Sequence, residues 1–502
     1  MKNNWFTKKV DEITVENNGN TKPLTRVKSE ILENKRFLME QLGNSFDVKY
    51  RSTIVCGTEM LFVMLDGMCD NLLITEQIIL PILKMEDNKI KDNDLLFESA
   101  DMVSGSVDKG LTPYLETAIE ELLKGNLLQF VDGGSSIVYY SVQKFAKRAP
   151  SEPNTESQER GSREGFVECF KDNVAMVRRR ICSPQLKIKS FKIGTTSKTD
   201  VCILYLSDRV SPKILDEVVT KLKNAKLDVV EGAGYLQPFL DHKTPSLFTC
   251  VGRTERPDVF TSKLSEGKVG IIVDGTPDAL IVPHLFMENF HSLDDYLKRP
   301  YFAFFARCIK IISFLLSVFL PGVYVAICTF HQEMIPETMI FGITSQESKT
   351  PLPIVAEALL IHLIYEIVRE AGLRIPKAVG HAVSIVGALV IGESAVSAGI
   401  IAAPMLIVVG LTAVSSFVVS TLYEPVAVLR FSFIIIGGIG GLYGIIFGFA
   451  GVLINMASLS PYGIPFTSPI SPTKIGAWRD LIHRENWINL GKRRMEIQKL
   501  EK

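Results

Sequence analysis

Glu393 stands inside one of the most apolar stretches of the chain, in the segment IGESAVSAG (391–399). A carboxylate in such surroundings has two outcomes. It faces a protein interior or water-filled path as an anion, or it is protonated and hydrogen-bonded between helices. Gly392, Ser394 and Ser397 beside it leave room for irregular backbone, which membrane depth tolerates only where it lines a cavity. A ring of such carboxylates favours cations. The path predicted from these residues runs past His381, Val383, Ser384 and Val386, with the valines as a dewetting constriction, to Glu393, Ser394 and Ser397. Glu357 lies on a neighbouring helix. Thr412, Ser416 and Ser420, at i, i+4 and i+8, form a second polar stripe that either wets a pore or bonds helix backbone.

A second group with chemical potential is Arg178, Arg179 and Arg180. They close an amphipathic pattern in which Phe166, Phe170, Val174, Val177 and Ile181 recur at helical spacing. The spacing predicts a helix with Ser162 as N-cap, Glu164 in its first turn and the arginines in its last, where cations suit the macrodipole. The arginines then either pair with acids across a lobe interface or hold an anion such as a lipid headgroup.

Other chemistry is absent from the pattern. The 55 basic and 55 acidic side chains balance, which excludes a general nucleic-acid binder. There is no phosphate-cradling glycine loop, nucleophile elbow or HExxH helix. The seven histidines do not cluster at ligand spacing, and the eight cysteines contain no close CxxC pair. The expectation is a non-enzyme with no cofactor and no metal, whose soluble part folds without an ion.

These residues need elements to hold them. Charges crowd the first 300 residues, whereas 302–459 carries long uncharged runs. The N-terminus has lysines without an apolar core, so no secretory signal is expected there and the soluble part is placed in the cytoplasm. After a tail and leading helix (1–45, helix over 27–42), the run 52–71 reads as one buried strand breaking at Asp66-Gly67. A helix follows over 72–83, then helix, strand, Gly-Gly turn and strand over 110–142. Beyond the linker come a strand at 200–206, a helix capped by Ser211 with Pro212 in its first turn, and a strand–turn–strand at 269–283. The fold class is a two-lobed α/β cytoplasmic domain (46–150 and 151–299) followed by an all-α polytopic transmembrane domain (300–460).

Spans are expected at 302–330, twice within 379–422, and at 431–457, making four crossings. Arg307 and Lys310 should snorkel, and Pro321-Gly322 should kink or break the first span. The piece 354–370 is re-entrant, interfacial or a fifth pass. Glycines 437, 441, 444, 448 and 451 let another backbone approach. The acidic loop 332–350 lies outside and a basic tail, 461–502, inside.

Glu152-Pro153, Arg160-Gly161, Arg163 with Glu164, Gly165 and Phe166, Asn173, and Arg178 to Ile181 follow one another in an order that resembles the signature of the A subunits of bacterial spore germinant receptors, the GerA family. Glu255, Arg256, Pro257 and Asp258 in TERPD, VDGTPDALIVP (273–283), Asp295-Tyr296, REAGLRIP (369–376) and AVSIVGALVIGESAV (382–396) are similar to that family too. Ser162 stands where the family usually has proline, and Glu393 where relatives often carry glutamine. The resemblance implies a subunit of the inner membrane of a dormant spore, in contact with membrane lipid. It further implies work with a transporter-like B subunit and a lipoprotein C subunit, and self-association into a ring, such as a pentamer, that gates monovalent cations in response to nutrients. It makes the soluble lobes similar to solute-binding domains of transport systems. A secondary transporter and a non-conducting scaffold are the alternatives, separated by oligomeric state.

Overall fold

The structure is a computed structural model that describes residues 24–85, 92–103, 107–144, 153, 156, 161–374, 392–473, 480–486, 488 and 497–500. The chain divides into two compact units, Met1–Ala149 with Lys171–Ser190, and Pro150–Phe170 with Phe191–Lys502.

The run expected as one strand at 52–71 is instead part of a hairpin. β1 (Val48–Val55) and β2 (Thr58–Leu65) pair antiparallel from Val55↔Thr58 to Val48↔Leu65. Cys56 and Gly57 make the turn, both at positive φ, as a tight hairpin of right-handed twist requires. The turn hides in the sequence because Cys56 is an unusual residue for a left-handed position. With β3 (Lys109–Thr112), β4 (Leu127–Val131) and β5 (Ile137–Tyr140) the sheet order is β1-β2-β4-β5-β3.

Side chains on a strand alternate between faces, so the unbroken apolar run in β2 feeds two cores. Met60, Phe62 and Met64 pack with Ile74, Ile78 and Ile82 of α2 (Asn71–Leu83) and with Leu95 and Leu96 of α3 (Asp92–Met102). Leu61, Val63 and Leu65 pack with α1 (Ile31–Leu42), α4 (Leu115–Leu123) and Ala175 of α5 (Phe170–Arg180). Nearly all of α5, expected in the second lobe, thus belongs to the first unit.

The second sheet, in order β6-β7-β9-β10-β8, comprises β6 (Leu186–Ile193), β7 (Thr199–Leu206), β8 (Gly252–Thr254), β9 (Val269–Val273) and β10 (Ala279–Val282). Its helices are α6 (Pro212–Lys223), α7 (Ala233–Leu240) and α8 (Pro257–Ser265). Ser211 is the N-cap of α6 by position, with no side-chain cap bond. Each sheet has the same strand order and the same succession: helix, two strands, two helices, strand, helix, two strands. Among the described residues the two sheets thus repeat one module, which the sequence displays only as element order.

After α9 (Leu293–Leu297) come α10 (Pro300–Phe330), α11 (Glu337–Glu347), α12 (Ile354–Arg374), α13 (Ala403–Val418) and α14 (Tyr423–Ser458). Pro300–Phe330 and Ser420–Ser458 have the length and apolar composition to cross a membrane. α10 runs unbroken through Pro321, and Gly322 does not break it. Gly322 and Gly437 instead bring the backbones of α10 and α14 together, each glycine lying against a carbonyl of the other helix.

α14 is not one rod. Gly441 has φ 57 and ψ −150, and beyond it the helix turns back on itself. A Cβ on Gly444 would touch Ile436, and one on Gly448 would touch Phe433. In a straight helix those pairs would stand about 12 and 22 Å apart. The apolar tract 431–457, expected as a single pass, therefore contributes to two antiparallel arms, 423–440 and 442–458. GGIGG supplies both the left-handed residue and the small side chains that let the arms close. Within the tract 379–422, expected to hold two passes, α13 runs straight through Gly410.

The helices run between two ends. At the end near the second sheet, α10 starts beside α9, Thr421 Oγ1 donates to Asn289 O (3.4 Å), and Asn455 and Ser246 share a 2.7 Å bond. At the far end, Gly441 lies against Phe330 and His331. The described residues after α14 pack on the second lobe, where a basic tail was expected. Tyr462, Ile464, Ile497 and Leu500 join the core of the second sheet, and Ile497 N–H donates to Glu266 O (3.0 Å).

Candidate functional site

The described part of the family-like segment, Pro153, Glu156 and residues 161–170, lies over the start of α8. Arg256, the N-cap residue of α8, is 1% exposed. Its Nε and Nη2 donate to the two carboxylate oxygens of Asp258 (3.1 and 2.7 Å), and Nη2 also to Ser162 O (2.7 Å). Nη1 reaches Glu156 O at 3.4 Å, while Thr254 Oγ1 donates to Glu156 Oε2 (2.7 Å). Burial raises the Glu156 carboxyl above the usual range, partly offset by the Thr254 hydroxyl. Phe166 N–H donates to Glu255 O (2.7 Å), and the Phe166 ring meets Phe260 edge-on at 5.5 Å.

These bonds override the helical spacing. The helix expected from Ser162 begins only at Phe170; Ser162 Oγ instead accepts from Glu164 N–H (3.3 Å), and Phe166 leaves the pattern to meet Phe260. Pro153 and Gly165 are buried, and Gly161 is exposed at φ 123. Glu152 and Arg160 lie outside the described residues. Pro257 fills the first turn of α8. With the Arg256 guanidinium held by Asp258 and two backbone carbonyls, the cluster reads as architecture.

The three arginines separate. Arg178 is 1% exposed and grips Asp47 with Nε and Nη2 (2.9 and 3.0 Å), while Nη1 donates to Leu186 O (3.0 Å). Arg179 is exposed and Arg180 half-buried. Of the two readings, Arg178 takes the structural one, with its acid inside the first unit.

Among the helices, the polar stripe turns inward. Thr412 Oγ1 and Ser416 Oγ donate to the carbonyls of Val408 and Ala413 (both 2.7 Å), and the Tyr365 hydroxyl lies 3.3 Å from Ser416 Oγ. Ser420 is exposed at the start of a short 3-10 turn. On α12, Glu366 accepts from the Tyr423 hydroxyl, from Arg369 Nε (3.2 Å) and from Arg430 Nη1 (3.3 Å). Arg430 is fully buried and also donates to Ser317 O (3.0 Å); Arg369 lies 3.5 Å over the Tyr423 ring. This buried charge network ties α10, α12 and α14 together. Sequence reasoning missed it by starting the last span at Phe431, one residue after Arg430.

Glu357 is buried and accepts from Ala402 N–H, at the N-terminus of α13, where the helix dipole suits a carboxylate. Glu393, Ser394 and Ser397 are exposed on a short helical stretch at 392–397, and Ser397 Oγ donates to Ser394 O (3.0 Å). The irregular backbone expected around Glu393 comes after it, at 398–402, where Gly399 takes φ 69. The structure thus brings Glu357 to the turn that follows Glu393. His381, Val383, Ser384 and Val386 lie outside the described residues.

At the near end a second network replaces the snorkelling expected of Arg307 and Lys310. Arg307, 0% exposed, donates from Nη1 to Asp480 Oδ1 (3.0 Å), Asp480 O (3.1 Å) and Leu481 O (3.0 Å), with Asp295 3.4 Å from Nε. The Tyr296 hydroxyl donates to Asp480 Oδ2 (2.7 Å), and Lys310 donates to Ser292 Oγ and Asp295. Arg484 Nη1 donates to Asp295 O (2.7 Å). Nearby, Lys263 and Lys268 share Glu288. Against the cost of burial, Lys263, Lys268 and His284 hold the Glu288 carboxyl well below its usual range. Burial, then the charge of Arg307, push His291 down from 6.5 to about 4, while its Nε2 lies 2.8 Å from Leu481 O.

The fold also assembles Asp241, His242 and Cys250, one ligand atom from each lying within 4.8 Å of the others. Two neighbours and a cysteine eight positions on match no metal-site spacing, so no spacing signal marked the group.

Comparison with known proteins places the chain. Residues 36–496 match the family described as Bacillus/Clostridium GerA spore germination protein. Spore germination protein KA of Bacillus subtilis (strain 168) is 35% identical over 468 residues, 92% of this chain and 86% of that protein. The uncharacterized membrane protein YfkQ of the same organism is 34% identical over 94% of this chain and 91% of its own. The crystal structure of the N-terminal domain of the A subunit of the Bacillus megaterium spore germinant receptor GerK3 aligns with 53% of this chain and 99% of its own, at 28% identity and TM-score 0.42. With a family match spanning most of its length and relatives a third identical over nine-tenths of it, this chain belongs to the GerA family of spore germination proteins.

Proposed function

We propose that the chain is a multi-pass subunit of a spore germinant receptor whose copies surround a nutrient-gated path for monovalent cations. The observation that carries this is the exposure of Glu393, Ser394 and Ser397 on a bundle whose other exposed residues include Ile407, Leu411, Val414 and Phe417. A carboxylate turned to lipid costs about 2.5–3.5 kcal/mol on insertion scales, so this face belongs against water or another copy.

Topology supports the membrane reading. α10 leaves the near end, α12 returns from Glu357 at the far end to Glu366 beside Tyr423, and α13 runs from Ala402 back to Ser416. α14 goes out and returns. Among the described residues, α10, α12, α13 and the two arms of α14 traverse the bundle. The far loop is poor in basic residues, with Lys349 beside Glu333, Glu337 and Glu347, which supports a cytoplasmic side for the near end and the lobes. The membrane would be the spore's inner membrane, and a transporter-like subunit and a lipoprotein the partners.

The test is the oligomeric state of detergent-purified full-length chain, with potassium flux in liposomes. A ring that conducts, with selectivity reduced in Glu393→Gln and leak raised in Val386→Ala, is expected. A monomer with solute-coupled uptake makes the protein a transporter, and a ring without flux a scaffold.

A further inference from the structure

Asp241 ends α7, His242 follows it, and Cys250 lies two residues before β8, so the loop 241–251 folds three different ligand types onto one point. Cys250 is fully buried. Asp241 Oδ1 accepts from the backbone N–H of His242 (2.9 Å) and of Cys250 (3.0 Å), which fixes the carboxylate against both neighbours. His242 Nε2 lies 3.0 Å from Phe248 O and 3.6 Å from Asp241 Oδ1. A carbonyl can only accept, so Nε2 carries the proton and Nδ1 keeps its lone pair. Nδ1 is buried and has no hydrogen-bond partner among the described residues. An imidazole whose N–H is spent on a backbone carbonyl and whose other nitrogen is bare is the form that ligates metal. The nearby Lys221 ammonium is taken up by the Leu240 and Asp241 carbonyls and by Glu217.

We propose that Asp241, His242 and Cys250 form a binding site for a divalent transition ion of zinc type, with water as the fourth ligand. Mixed oxygen, nitrogen and sulfur donors exclude calcium and magnesium, which take oxygen ligands, and suit zinc. Tetrahedral zinc, with bonds of about 2.0–2.3 Å, sets ligand atoms about 3.3–3.8 Å apart. Closing from 4.8 Å, with the imidazole turned so that Nδ1 rather than Nε2 faces Asp241, needs side-chain adjustment, not refolding. The ion's place gives it a consequence. The same loop holds the end of α14, with Ser246 Oγ donating to Asn455 Oδ1 (2.7 Å) and Asn455 Nδ2 to Pro245 O (2.9 Å). A bound ion stiffens the contact between the second lobe and the returning arm of the bundle.

The experiment loads purified full-length chain with cobalt, then zinc, and reads the absorption spectrum and the bound metal per chain. One equivalent, tetrahedral cobalt bands and a thiolate-to-cobalt charge-transfer band are expected. Cys250→Ser should abolish that band, and His242→Ala should weaken binding by about a hundredfold, as loss of a ligand does at least as much as loss of its support. A Cys169→Ser, Cys182→Ser double variant, altering exposed thiols, should keep both. An octahedral wild-type spectrum without the thiolate band, or a band that survives Cys250→Ser, overturns the site. Should Cys250→Ser not fold, the wild-type spectrum and protection of Cys250 from alkylation by zinc decide alone.

Discussion

Replacing Arg178 by alanine should destabilise the first unit by about 3–5 kcal/mol, because it strands a buried carboxylate. Asp47 is 3% exposed, and in the native protein two guanidinium N–H groups at 2.9 and 3.0 Å satisfy it. The alanine removes both, and with them the bond to Leu186 O that fastens the start of β6. Set against a typical domain stability of about 5–15 kcal/mol, the loss multiplies the unfolded fraction by roughly 10² to 10³·⁵. Pulse proteolysis of full-length protein across a urea series reads this as a lower midpoint for fragments of the first unit. Two companions isolate the cause. Arg179→Ala, next in sequence but exposed, should stay within about 0.5 kcal/mol of wild type. Asp47→Leu with Arg178→Met, which removes both charges, should recover most of the loss. If Arg178→Ala and Arg179→Ala shift the midpoint equally, or the double variant is no better than the single, the ion pair is not what the arginine run supplies.

Gly437→Ala places a methyl against Gly322 O and should cost about 1–3 kcal/mol, seen as a lower thermal midpoint, whereas Gly440→Ala, with open space around it, should be silent. Arg307→Ala leaves Asp295 and Asp480 without their shared cation and should release the C-terminal segment; the check is faster protease cleavage after residue 459 with the lobes still intact. His291 has a folded pKa of about 4 against 6.5, so the unfolded chain binds the proton first and stability falls with pH in that window. Between pH 7 and pH 5 the loss should be about 2 kcal/mol, and the urea midpoint of His291→Gln should show that much less pH dependence.

What the sequence made legible was local. Continuous apolar runs placed β7, β9 and β10, Pro212 marked the start of α6, and Pro257 sits where a first helical turn accepts it. What it hid depended on partners distant in the chain. Ser162 and Phe166 fit a helix until Arg256 and Phe260 compete for them, 94 residues away in each case. Arg307 at the head of an apolar helix looks like a snorkelling residue until the C-terminal segment, some 170 residues on, brings Asp480 to it. GGIGG carried its own signal: glycines dense enough to pack a helix also permit the left-handed residue that ends one, and Gly441 uses that freedom. Asp241, His242 and Cys250 converge only because α7 and β8 hold the ends of one loop, which no ligand spacing records.

The two buried charge networks constrain how the bundle changes shape. Arg307 with Asp480 and Asp295 locks α10 to α9 and to the segment that follows α14. Arg430 with Glu366, supported by Tyr423 and by the Ser317 carbonyl, locks α12 to α14 and α10. A small slide of α12 along α14 would separate Glu366 from Arg430 with both still out of water, at a cost that rises steeply with distance. Intermediate positions are therefore disfavoured, and a rearrangement has to carry both groups to new partners or hydrate them together. Packing on Gly322 and Gly437 adds to this, since close backbones tolerate one register and its one-turn neighbours but little between. A bundle held in this way moves between discrete arrangements. The nutrient-gated path proposed for this chain needs that property.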